Sequence, residues 1–150
     1  MKNDILSPSG KSASGIKKTR EASFWQALKK ALRENFPDWS ATRLESRATL
    51  GVPDVLILDS GGKWHMVELK TTASMRVDLT PHQVAFLTKH ARGSCWIAVK
   101  LTNASGHEVF LYKGDQAVEV KLEGLRATPT KHFSNPVNYR AVLTYLTQKG

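Results

Sequence analysis

One cysteine in 150 residues leaves Cys95 without an internal disulfide partner and excludes a cysteine-based zinc site. No apolar run approaches the length of a membrane span. The N-terminal stretch MKNDILSPSGKSASG has no apolar core of the kind a secretory signal carries. No basic helix with a strong apolar face argues for a membrane surface. The five histidines, at 65, 82, 90, 107 and 132, show no metal-ligand spacing. No internal repeat and no second domain boundary is visible. With the reducing environment that a lone thiol suits, these absences point to a cytoplasmic protein. Cys95 itself sits in the apolar run Cys95–Val99 and reads as a buried strand thiol.

What the chain does have is positive charge. Twenty-two Lys and Arg against 13 Asp and Glu give a net charge of +9. That balance favours a polyanionic partner, nucleic acid before membrane. The length suits one compact domain able to bury a core unaided. Residues 1–18, rich in Ser, Gly and Lys, read as a mobile basic tail, and 19–150 as the single domain.

Trp25, Leu28, Leu32 and Phe36 follow helical spacing and predict a first helix over about 20–35, capped by Thr19 and ended by Pro37. A strand is expected over 42–48. A very apolar strand over 54–58 turns at Asp59-Ser60-Gly61-Gly62 into a returning strand over 64–70. Thr80-Pro81-His82-Gln83 forms a capping box with proline at the first helical position and starts a second helix that ends near Arg92. Further strands are expected over 95–100, 109–112 and 117–122, and a last helix over 137–147. The order implies an α/β (α+β) fold, a mixed central sheet flanked by helices. Tyr139, Val142, Leu143 and Leu146 of the last helix either close the core or supply a dimer contact.

The chemistry gathers in Gly51-Val52-Pro53-Asp54 and Glu68-Leu69-Lys70. Side chains alternate along a strand, so Glu68 and Lys70 share a face. If the turn is Ser60-Gly61-Gly62, Asp59 faces Lys63, and counting back along both strands places Asp54 opposite Glu68. Opposed residues have Cβ atoms about 5 Å apart. Two carboxylates that close repel each other, and a divalent cation removes the conflict. Mg²⁺ takes one or two carboxylates, keeps waters and completes its shell with phosphate. Lys70 would hold the attacking water or neutralise charge developing on phosphorus. The plain alternative is a strand-start Asp54 beside a solvated charged face.

Pro53-Asp54 followed by Glu68-Leu69-Lys70 across a short hairpin resembles the PD-(D/E)XK nuclease signature. Arg43-Leu44-Glu45, Gly51–Asp54, Trp64–Lys70 and Leu79–Ala85 together resemble its VRR-NUC-like and phage-type members, which are related to archaeal-type Holliday junction resolvases. The resemblance spans roughly residues 19–100. It implies a restriction-endonuclease-like core, Mg²⁺ (with Mn²⁺ able to substitute) on Asp54 and Glu68, and Lys70 assisting the nucleophile. It also implies branched DNA as substrate, a homodimer, and a place in the cytoplasm, the host's if the chain is viral. A third acid often comes from the first helix in this superfamily. Glu21, on the stripe of Trp25, Leu28 and Leu32, fits, with first-turn dipole compensation as its plain reading; Glu45 is the rival, with pairing to Arg43 and Arg47 as its own. Gln83 matches a glutamine near the site, and it also completes the capping box. Lys17, Lys18, Arg20, Arg76, Lys89 and Arg92 are candidates for phosphate contacts, which give affinity without sequence preference. No groove-reading motif and no aromatic signature of the common RNA modules is present. The implied function is a structure-selective DNA endonuclease, first a Holliday junction resolvase. A flap, nick or general DNA endonuclease and an inactive DNA-binding module are the alternatives.

Overall fold

The computed structural model describes the backbone of residues 13–45 and 49–150, and the side chains of 20–45 and 49–150. The elements run α1 (Ala13–Asn35), β1 (Ser40–Arg43), β2 (Val55–Leu58), β3 (Trp64–Thr72), α2 (Pro81–Lys89), β4 (Cys95–Asn103), β5 (Gly106–Lys113), α3 (Ala117–Glu123), β6 (Lys131–Phe133) and α4 (Tyr139–Lys149). One six-stranded sheet holds the strands in chain order. Its pairs are antiparallel except β3 with β4, which run parallel across the α2 connection. The expected mixed sheet flanked by helices is the observed α+β architecture. No helix of the described residues is long and apolar enough to cross a membrane.

Strand alternation sorts the two faces of the sheet. Val67 and Leu69 of β3, with Trp96 and Ala98 of β4, pack under α1 and α4 against Phe24, Leu28, Val142 and Leu143. Ile97 and Val99 point the other way, to Leu87 of α2 and Ala117 and Val120 of α3. Glu68 and Lys70 belong to this second face. Val142, Leu143 and Leu146 are buried in the core, so α4 closes the molecule rather than offering those residues to a second copy.

Several boundaries differ from the sequence expectation. Helix α1 begins at Ala13, so Thr19 lies inside it and residues 13–18 are helical rather than tail. Residues 1–12 lie outside the described residues. The first strand sits earlier, because Trp39 stacks on Phe36 with ring centroids 4.0 Å apart and the chain enters β1 at once. Residues 46–48 of the strand expected there lie outside the described residues. Helix α2 stops at Lys89, three residues short of Arg92. The largest correction concerns 117–122, expected as a strand and found as α3. Ala-Val-Glu-Val-Lys-Leu alternates as a strand would, yet Ala117 and Val120 are buried one helical turn apart while Val118 and Leu122 are exposed. The hairpin partner of β5 is β4. The three-residue β6 carried no sequence signal.

Candidate active site

The hairpin register is the one its turn dictates. Asp59 N–H donates to the Lys63 carbonyl at 3.0 Å, and the Asp59 carboxylate accepts from the Gly61 and Lys63 amides. The ladder then runs Leu58 to Trp64, Ile57 to His65, Leu56 to Met66 and Val55 to Val67. The next positions outward are Asp54 and Glu68. Asp54 lies just before β2, its carbonyl accepting the Leu44 amide at 2.6 Å. Its Oδ2 accepts the Leu69 amide at 3.1 Å, which fixes the carboxylate beside β3.

The loop before Asp54 is pressed against α2. Gly51 has φ +86°, and a Cβ there would lie 2.2 Å from the His82 carbonyl oxygen. Glycine alone lets this loop and the first turn of α2 touch. The contact brings Gln83 over the site. Thr80 caps α2, its hydroxyl accepting the Gln83 amide, and Gln83 Oε1 accepts the Thr80 amide at 2.9 Å. The other end of the same side chain, Nε2, donates to Glu68 Oε1 at 2.8 Å. Gln83 therefore both caps the helix and hydrogen-bonds Glu68.

Glu68 is only 2% exposed. Its Oε1 lies 3.6 Å from Lys70 Nζ, and its buried Oε2 has no hydrogen-bond partner. Burial, followed by the Asp54 charge, pushes the Glu68 carboxyl up to about 8, against the pull of Lys70. Burial also raises Asp54, partly offset by the Leu69 amide and by Lys70. At neutral pH the metal-free Glu68 carboxyl thus keeps its proton. Two acids, an amine and an amide converge as the strand pattern requires.

The remaining candidates separate. Glu21 is half-buried on α1, and its charge reaches Glu68. Glu45 is exposed. Among the described residues, no group of three or more His, Cys, Asp or Glu is placed to hold a metal. Arg76, its side chain 85% exposed and paired with Asp78 at 3.1 Å, lines a cavity of about 230 Å³ with Lys70 and Thr80. Lys89 and Arg92 line another, on the β2–β3 face. Arg20 is exposed on α1. Lys17 and Lys18 fall in α1, but their side chains lie outside the described residues.

Three features escaped the sequence reading. Arg43 of β1 acts on Asp54. Lys121 of α3 donates to the Leu79 carbonyl at 2.6 Å and lines the cavity beside Lys70. Its signal was lost when 117–122 was read as a strand. His65 is fully buried, bridging Asp59, 2.7 Å from Nε2, and Ser94, so the turn is tied to the start of β4. Cys95 is a buried free thiol, pushed to about 11 by burial and then by the nearby Glu68 charge.

No protein-family model matches the chain. No curated protein matches it significantly. Among solved structures it is similar to Archaeoglobus fulgidus Hjc, a Holliday junction resolvase from an archaeal hyperthermophile. That match has a TM-score of 0.46 and 20% identity, covering 67% of this chain and 75% of that one.

Proposed function

We propose that this chain is a Mg²⁺-dependent, structure-selective DNA endonuclease, with resolution of four-way junctions as its leading activity. The observation that carries the reading is Asp54 and Glu68 side by side just past the end of the β2–β3 ladder, with Lys70 beside Glu68 and Glu68 Oε2 buried without a partner. An unpartnered buried carboxylate oxygen is costly, and a divalent cation on the two acids would supply what it lacks. Two carboxylates, with no group of three or more His, Cys, Asp or Glu placed to hold a metal among the described residues, suit Mg²⁺, which keeps waters and takes substrate phosphate, better than a metal that needs a closed cage.

Asp54 and Glu68 would hold the ion, with Glu21 as an outlying third acid. When bound, Mg²⁺ polarises a phosphoryl oxygen and makes a water more acidic. The chain's own groups do the rest. The Leu69 amide keeps Asp54 from rotating. Gln83 occupies Glu68 Oε1 and leaves Oε2 for the ion. Lys70, 3.6 Å from Glu68, supplies positive charge where negative charge develops on phosphorus. Arg76 and Lys121, in the adjoining cavity, are placed for flanking phosphates. A junction requires two symmetric cuts, which a homodimer delivers from two equivalent sites.

The deciding experiment is nicking of a four-way junction with and without Mg²⁺, beside flaps, nicked duplex and linear duplex, with Asp54→Asn as control. Paired nicks in opposite strands that vanish in the variant and in chelator support the reading. Preferred cutting of flaps or plain duplex moves the activity elsewhere in the nuclease class. Binding without nicking by the wild type makes the chain a DNA-binding module.

A further inference from the structure

Trp64, Met66, Glu68 and Lys70 follow one another on one face of β3. Glu68 and Lys70 lie beneath the start of α2. The helix is only nine residues long and stops at Lys89, which leaves the Trp64 end of that face bare. Leu56 of β2 sits opposite Met66 and extends the apolar floor sideways. Trp64 is 53% exposed, while Trp25 and Trp96 are buried in the core. Leu56, Trp64 and Met66 form the base of an open cavity of about 330 Å³, and Lys89, His90 and Arg92 form its rim. Among the described residues, no acidic one lines it. The His90 ring is held in place, stacked on Phe86 with centroids 3.9 Å apart and with Nδ1 bonded to the Phe86 carbonyl at 2.8 Å. Nδ1 then carries the proton in the neutral ring, and Nε2 is left as an acceptor.

An apolar aromatic floor has no use for phosphate, and a cationic rim has none for a greasy protein segment. A nucleobase joined to a charged backbone satisfies both, since the ring stacks on the indole and its flanking phosphates meet Lys89 and Arg92. The cavity is at the small end of the range for ligand sites, ~300–1,000 Å³. Trp64 lies four residues along β3 from Glu68, ~13 Å away, within reach of a nearby nucleotide of the same strand. A base inside a duplex keeps its faces stacked on its neighbours and cannot enter.

We infer that the Trp64 cavity is a stacking subsite for one unpaired base of single-stranded or splayed DNA, held next to the phosphodiester that the acidic pair addresses. The assignment rests on the nuclease reading for its role and on the cavity alone for its binding. It makes this chain a reader of unpaired nucleotides, so that a branch is recognised by the base it leaves unstacked.

The test is binding in chelator, where no strand is cut. A fluorescein-labelled oligothymidylate and a blunt duplex of equal length are titrated with wild type, Trp64→Ala and Trp64→Phe, each checked for fold by circular dichroism. Trp64→Ala should weaken binding to the single strand by roughly five- to 150-fold, leave duplex binding within about twofold, and abolish most of the tryptophan quenching. Trp64→Phe, which keeps a stacking ring, should restore most of the affinity. Equal losses on both DNAs, no loss on either, or no binding by the wild type overturns the subsite. So does conversion of a wild-type dimer to monomer by Trp64→Ala in sedimentation, which would make the platform a contact between copies. Junction nicking by the wild type is scored separately. If nicking is absent but the single-strand effect holds, the nuclease reading falls and the subsite stands; nicking with no Trp64 effect does the reverse.

Discussion

Replacing Glu68 by Gln should strengthen the metal-free protein and disable it at the same time. In the fold, burial and the Asp54 charge raise the Glu68 carboxyl to about 8 from its ordinary value of 4.5. A carboxyl raised in this way binds its proton more tightly folded than unfolded. The stability it contributes is complete below pH 4.5, shrinks as pH climbs and is lost by pH 8. At ~1.4 kcal/mol per pH unit the ceiling is about 5 kcal/mol, and relaxation around a buried charge leaves about 1–3 kcal/mol as the expected loss. Gln has the shape of the protonated acid and does not titrate. In chelator, Glu68→Gln should match wild type near pH 5 and melt higher at pH 8, by roughly 3–10 °C for a domain of this size. Magnesium should reverse the order, since an ion that binds the ionised pair stabilises the wild type in proportion to its occupancy and leaves the variant where it was. Differential scanning fluorimetry at both pH values, with EDTA and with Mg²⁺, reads all four cells. A gap between wild type and variant that does not change with pH, or an equal magnesium shift in both, would refute the reasoning that Glu68 is a strained ligand awaiting a cation.

Gln83 can be separated into its two duties. Gln83→Ala should lose ~1 kcal/mol through the cap, seen in a denaturant midpoint, and most nicking with it; Gln83→Glu keeps the acceptor for Thr80 but puts a carboxylate against Glu68, so helix stability should survive while nicking fails. Gly51→Ala meets the His82 backbone in a left-handed conformation, and should cost at least about 2 kcal/mol and lower junction nicking, measured by urea unfolding and single-turnover assay. Cys95 should ignore a disulfide reagent at pH 8 while folded and react fully in guanidinium, because the buried thiol stays protonated up to about 11.

The acidic pair was legible because a hairpin's register is local information. Two glycines after Asp59-Ser60 fixed the turn, Gly62 taking φ +81°, and counting outward from it gives the observed register as far as Val55 and Val67, one position short of Asp54 and Glu68. Gln83 was legible for a similar reason, since a capping box is written in four consecutive residues. What failed was decided at long range. The segment 117–122 alternates like a strand, but packing against α2 and β5 selects the helical partners Ala117 and Val120. Among the described side chains the buried stripe of α1 begins at Phe24, and Ile16 is the one large apolar residue ahead of it in the helix, too little to mark the start at Ala13. The stripe favoured Glu21 and left Glu45 as its rival; the tertiary fold leaves the first half-buried with its charge reaching Glu68 and the second exposed. Arg43 and Lys121 reach the site from elements whose neighbours no spacing could reveal.

β2 is four residues long and β3 nine, and their pairing ends at Val55 and Val67. From Glu68 onward the strand keeps β4 on one side and has outrun β2 on the other, and the Leu69 amide that a longer β2 would have engaged is taken by the Asp54 side chain instead. A strand flank that has lost its neighbour can pair edge to edge with a foreign chain once it is uncovered, and charged side chains are a common deterrent. Asp54 and Lys70 stand along that flank. The residues proposed to carry the chemistry would therefore also discourage strand addition at this flank, and neutralising both would threaten solubility as well as the proposed activity.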